Sequence, residues 1–201
     1  SAIDLGMSSA KYKDLYLSGT GYFDTSVGIG NNNPTAKLTI DNSIATTYST
    51  TGYAATPSNS MLYLNNTHGG SNTASLINFR TGSGDGVIGF VEGGGTNDAD
   101  FVIQTDGGSN GVERLRITNA GNCGIGTSSP STKLHLGGTA PMDSIIRQDS
   151  TVSGTNWEIG EREAGKWQIF EDDSDSVVAT FMSSGNVGIG GETNPDASLH
   201  I

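Results

Sequence analysis

Val27-Gly28-Ile29-Gly30, followed by Pro34 and Lys37-Leu38-Thr39-Ile40, is a short cassette that occurs three times in this chain. It returns as Cys123-Gly124-Ile125-Gly126, Pro130 and Lys133-Leu134-His135-Leu136. It closes the sequence as Val187-Gly188-Ile189-Gly190, Pro195 and Ser198-Leu199-His200-Ile201. Alternating Gly and Ile gives a strand with one apolar face and one nearly bare face. The Pro ends that strand, and a Leu-centred strand follows. A recurring unit in a glycine-rich chain predicts a repetitive β architecture, in which each unit buries its apolar face against a neighbour. The bare face admits a second backbone at close range. The favoured expectation is another chain meeting it near a three-fold axis; the alternative is a bulge or loop of the same chain.

The repeat extends upstream. Leu115-Arg116-Ile117-Thr118-Asn119-Ala120-Gly121-Asn122 aligns without gaps on Ala179-Thr180-Phe181-Met182-Ser183-Ser184-Gly185-Asn186, which places Gly-Asn at one shared hairpin turn. Residues 41–136 and 137–201 read as a long and a short β-meander ending in the cassette, and residues 1–40 as the end of a preceding module. Strand alternation is frequent: Ile77 and Phe79, Ile88 and Phe90, Phe101 and Ile103, Leu115 and Ile117 between Arg114 and Arg116. The segments 81–86 and 161–165 read as turns, as do Asp106-Gly107 and Asn110-Gly111. Ser144–Arg147 reads as a strand. Trp157 and Ile159 share a face with Trp167 and Ile169 in a hairpin, with Glu158 opposite Lys166 and Gln168 on the other face. A helical turn is expected only at Ser8–Asp14.

The chain has 201 residues, 30 of them Gly, and about a fifth are Leu, Ile, Val or Phe. A lone chain of that composition struggles to bury a core. Disorder is the weaker explanation, since two Trp, six Tyr and six Phe are present and the apolar residues fall in strand-like patterns. A core shared between chains is preferred. The net charge of −11 disfavours nucleic acid and anionic membranes as partners. No apolar run reaches a membrane span, and Ser1-Ala2-Ile3-Asp4-Leu5 does not resemble a secretion signal. A start at Ser rather than Met suggests a trimmed chain with neighbouring domains absent. The single cysteine, Cys123, excludes an internal disulfide and stands where the other cassettes have Val27 and Val187, so a small apolar role outweighs a reactive thiol.

The stretch 115–130, with Lys133-Leu134-His135-Leu136, closely resembles a motif of tail-fibre and related virion proteins of tailed bacteriophages, marine ones especially. Asp4-Leu5-Gly6 with Tyr12-Lys13-Asp14-Leu15-Tyr16-Leu17 is similar to a second motif of those proteins. The two together cover about a third of the chain. The resemblance implies an all-β, intertwined homotrimeric fibre segment on a virion, with a part in host attachment. In such proteins a self-cleaving chaperone domain often follows at the C-terminus. The partners so implied are other copies of the chain, other virion proteins, and a bacterial surface glycan or outer-membrane receptor. These are scaffold motifs, and they bring no residue with a chemical role.

Chemistry-bearing patterns are few. His135 and His200 occupy the position of Thr39, which favours a strand residue facing solvent over a three-fold imidazole metal site. His68 falls in an expected loop. Glu171-Asp172-Asp173-Ser174-Asp175 lacks the glycine and distal glutamate of a calcium loop and reads as a solvated turn; Asn97-Asp98-Ala99-Asp100 is a weak cation signal. No Gly-x-Ser-x-Gly elbow has a strand–turn–helix setting, and no phosphate loop is present. Paired carboxylates for a glycosidase are always available among 21 acidic residues and so carry no weight. Trp157, Trp167, Tyr48, Tyr53 and Tyr63 are the aromatics on which a sugar could stack, with hairpin core the bland reading for both Trp residues. The sequence thus predicts a non-enzymatic adhesion fibre without cofactor or metal. A polysaccharide-degrading tailspike and a capsid decoration fibre are the alternatives.

Overall fold

Alternating apolar residues between Gly-bearing turns build strands throughout. The structure, a computed structural model, describes residues 18, 20–21, 23–29, 31, 33–41, 60, 62–93, 95, 98–107, 111–139, 143–149, 156–171 and 176–201; the expected helical turn at Ser8–Asp14 lies outside them. The chain is all-β, with no helix among the described residues. It divides into two compact units, residues 1–63 and 64–201.

In the first unit, β1 (Val27–Ile29) and β2 (Leu38–Ile40) pair in parallel, with Val27 opposite Leu38 and Ile29 opposite Ile40. The second unit holds two six-stranded sheets. One comprises β3 (Ala74–Thr81), β4 (Gly84–Glu92), β5 (Ala99–Asp106), β6 (Gly111–Ile117), β7 (Cys123–Ile125) and β8 (Leu134–Leu136), paired in chain order. The other comprises β9 (Ile146–Gln148), β10 (Trp157–Glu163), β11 (Lys166–Glu171), β12 (Ser176–Met182), β13 (Val187–Ile189) and β14 (Leu199–His200), again in chain order. In both sheets the first five strands run antiparallel and the last pair is parallel. Among the described residues the two sheets have six strands each and differ in strand length.

Pairing continues further into the expected turns than alternation alone suggests. Thr81 pairs with Gly84, which leaves Gly82-Ser83 as a two-residue turn with Gly82 at φ +60°, the conformation its first central position demands. Glu163 pairs with Lys166, so Glu161 is a strand residue opposite Trp167. Glu158 lies opposite Phe170, not Lys166; Gln168, on the same face as expected, lies opposite Gly160. The ungapped alignment of the modules holds in three dimensions. Leu115 faces Ile125 as Ala179 faces Ile189, and Ile117 faces Cys123 as Phe181 faces Val187. The shared turn is also the same: the Gly121 and Gly185 amides donate to the carbonyls of Thr118 and Met182, and both glycines have positive φ.

Candidate functional site: the cassette loop and the apolar sheet faces

The cassette is a β-loop-β unit whose loop folds back on its own first strand. Parallel neighbours ordinarily need a connection of about a dozen residues or more. Here residues 126–133 suffice between β7 and β8. The bare Gly face explains how. A Cβ built at Gly124 would lie 2.5 Å from the Thr127 carbonyl oxygen and 3.3 Å from Pro130 Cβ. At Gly188 the Glu192 carbonyl oxygen stands 2.5 Å from such a Cβ, and at Gly28 the Asn31 carbonyl oxygen fills the same place. The backbone approaching these glycines is thus that of the same chain, and the expectation of a second chain at that point is corrected. The cassette strand is bare on that side because its own loop covers it.

Equivalent side chains fasten each loop. The oxygens of Asn31, Thr127 and Glu192 accept the amide two residues on, from Asn33 (2.6 Å), Ser129 (3.2 Å) and Asn194 (2.7 Å). Asn122 Nδ2 donates to the Pro130 carbonyl at 3.2 Å, and Asn186 Nδ2 to that of Pro195 at 2.9 Å. Lys133 Nζ reaches the Ala120 carbonyl (2.8 Å) as Lys37 Nζ reaches that of Asp24 (3.4 Å). His135 Nδ1 accepts from the Ser131 amide at 3.3 Å, and Thr39 Oγ1 from the Ala36 amide at 3.3 Å, so this position closes the loop from below. The glycine ending the strand has φ +73° at Gly126 and +78° at Gly190. Its amide donates to Arg114 or Val178, the extra residue of a β-bulge found at the same place in both sheets. Gly30, its counterpart in the first cassette, lies outside the described residues.

Two rows cross all six strands of the first sheet on one face: Ile77, Ile88, Ile103, Leu115, Ile125, Leu136, and Ser75, Phe90, Phe101, Ile117, Cys123, Leu134. The second sheet has Ile146, Ile159, Ile169, Ala179, Ile189, and Glu161, Trp167, Phe181, Val187, Leu199. These faces are open. Phe90 is 54% exposed, Leu134 56%, Ile125 47% and Trp167 45%. Among the described residues the buried hydrophobic side chains are Val102, Phe170 and Ala179, of which Ala179 lies in the second sheet's apolar row.

The covered face is the more polar one. Arg116 bridges Asp100 (2.6 Å) and Glu113 (2.7 Å), all three largely buried. The hydrogen bonds to Glu113 are the main cause that raises the Arg116 guanidinium above its usual range; burial opposes this, and Asp100 adds to it. In the second sheet Gln168 and Thr180 are fully buried and joined, Gln168 Nε2 donating to Thr180 Oγ1 at 3.3 Å. Buried Glu158 pairs with Arg147 at 2.8 Å and Arg162 at 3.5 Å, and the Arg162 guanidinium lies over the Phe170 ring.

Trp157 and Trp167 both fall on the apolar face of the second sheet. Trp167 packs edge-on against Phe181 with centroids 5.3 Å apart and lines an open cleft with Glu161, Lys166, Met182 and Ser183. Tyr63 is exposed in an irregular stretch, and Tyr48 and Tyr53 lie outside the described residues. The structure therefore places two of the five aromatics on one face, at opposite ends of the hairpin. Cys123 sits on the apolar face of the first sheet between Ile117 and Leu134. His68 is in a loop, its amide donating to Asn66 Oδ1. Residues 172–175 of the acidic run and Asn97 are outside the described residues. No group of three metal-ligating side chains occurs among the described residues, and no helix there is long and apolar enough to cross a membrane.

The recurring bulge and the fully buried Gln168–Thr180 pair escaped sequence reading. Arg114 and Val178 share no side-chain chemistry, and Val102 and Arg116 stand where Gln168 and Thr180 do. No family model matches this chain, and no curated protein matches it.

Proposed function

We propose that this chain is a segment of a homotrimeric virion fibre of a tailed phage, serving as a structural element in attachment to the bacterial surface. One observation supports it above the others: in both six-stranded sheets the apolar face carries most of the exposed large hydrophobic side chains, while the chain's own loop covers the opposite face at the cassette glycines. Burying apolar surface is the dominant favourable term in folding and association, so such a face calls for a partner. The repetition of the module along the chain suits a fibre built of levels in series, and the resemblance of residues 115–136 to phage fibre proteins supplies the setting. In that reading other copies cover the sheet faces, including Trp157 and Trp167, and the polar faces and cassette loops point toward solvent and the host receptor.

Sedimentation equilibrium tests the assembly. About three times 20.7 kDa, persisting on dilution, is expected; a folded monomer would overturn the reading. Virion labelling with antibody to the chain tests the setting. Label at the tail tip supports it, and label confined to the capsid would move the protein to a decoration fibre.

A further inference from the structure

The open faces have more to specify than self-association. We infer that the two sheets are two separate copy-to-copy interfaces in series, each packing its apolar face on the same sheet of another copy. This rests on the reading of the chain as self-associating.

Three features favour a second copy as the occupant. The first is charge. The chain bears 21 acidic and 10 basic residues, so copies repel one another over most of their surface. The two full rows of the first sheet contain no Asp, Glu, Lys or Arg, and those of the second contain only Glu161, at the end of a row. Like-charged copies meet little repulsion along those rows. The second is size. Two rows of strand, about 13 Å long and five to six strands of about 4.8 Å wide, make on the order of 350 Å² of flat area per sheet. Each sheet alone supplies under half of the ~800 Å² per partner of a standard stable interface, and the two in series approach it. The third is symmetry. In a closed rotational assembly every residue recurs at one height along the axis, so a sheet meets its own equivalent.

The sheets are also separate. Among the described residues no strand of one lies against a strand of the other, so strand packing within one copy does not tie the two faces together.

Each face holds its own reporter. Cys123 is the only cysteine and lies in the first sheet's apolar face; Trp157 and Trp167 are the only tryptophans and lie in the second's. The experiment uses the whole chain. Its mass is measured, Cys123 is labelled with a maleimide, and tryptophan is quenched with acrylamide. In wild type both reporters should be protected. Phe90→Glu places a charge in the first face three strands from Cys123 and should raise labelling about tenfold or more while leaving quenching, and at high protein concentration the oligomeric mass, unchanged. Ile159→Glu should do the reverse, opening the tryptophans and sparing Cys123. Far-UV circular dichroism, together with protection of the reporter in the unmodified sheet, reports on folding of each variant.

The outcomes separate the two readings. A monomeric wild type overturns both. An oligomer in which either reporter is open in wild type overturns the inference alone. So does an oligomer in which either substitution exposes both reporters, since that describes a single cooperative interface.

Discussion

At the residue scale, glycine in the cassette has two different jobs. Gly124 is small because the Thr127 carbonyl occupies the place of its side chain, whereas Gly190 has open space around it and is held only by φ +78°. Gly124→Ala should therefore cost about 2–3 kcal/mol through overpacking against backbone. Gly190→Ala should cost only about 1 kcal/mol, from left-handed backbone alone, and Gly190→Asn still less. Thermal denaturation of the three variants at one protein concentration checks the order. Gln168 and Thr180 give a second comparison. Thr180→Val removes the acceptor of a fully buried amide and should cost about 1–3 kcal/mol. Arg116→Met should cost about 3 kcal/mol, because it leaves Asp100 and Glu113 without their shared cation. Because the Arg116 guanidinium is raised, its contribution is fully present below the unfolded guanidinium range and is lost only as the pH rises through the folded one. Much of this scale was legible: Gly and Ile alternate in all three cassettes, and Pro recurs four residues before the Leu of the following strand. The loop anchors were less so, since Asn31, Thr127 and Glu192 perform one task with three different side chains.

At the scale of elements, the β-loop-β unit is the part the chain repeats most faithfully. The bond from Asn122 Nδ2 to the Pro130 carbonyl, matched by Asn186 and Pro195, ties the hairpin turn to the middle of the loop. Asn122→Ala should cost about 1 kcal/mol. Amide hydrogen exchange should show the loss at Gly124 and Ser131 while leaving β3–β5 protected. The antiparallel meanders were readable from alternation such as that of Phe101, Ile103, Leu115 and Ile117. Where their turns close was not, because pairing at Thr81–Gly84 and Glu163–Lys166 continues through residues with weak strand preference once a partner backbone is in place. The parallel closing pair was unforeseen as well, since sequence spacing gives the length of a connection and not the direction in which it returns.

At the scale of the whole molecule, the distribution of apolar surface governs stability. With three buried hydrophobic side chains among the described residues, a single copy has little interior to hold it. The melting temperature should therefore rise with protein concentration, as expected when association supplies stability. A melting temperature constant over a hundredfold dilution, with tryptophan still open to quencher, would mean that the sheets hold without partners. Tryptophan emission should shift to the red as oligomer dissociates, because Trp157 and Trp167 lie on the face proposed to be covered.

The sequence by itself determined the β class, the recurring cassette, the turn shared at Gly121 and Gly185, and the alignment of Leu115–Asn122 on Ala179–Asn186. These follow from local rules: two-residue alternation, positive φ at glycine, and the missing amide of proline. Only the tertiary structure decided which backbone fills the space beside Gly28, Gly124 and Gly188, and which face of each sheet stays open. Alternation separates two faces but does not say which one a loop will cover. That choice depends on Thr127, Pro130 and Glu192 folding back over the glycines, a contact between a loop and its own preceding strand that no residue pattern encodes.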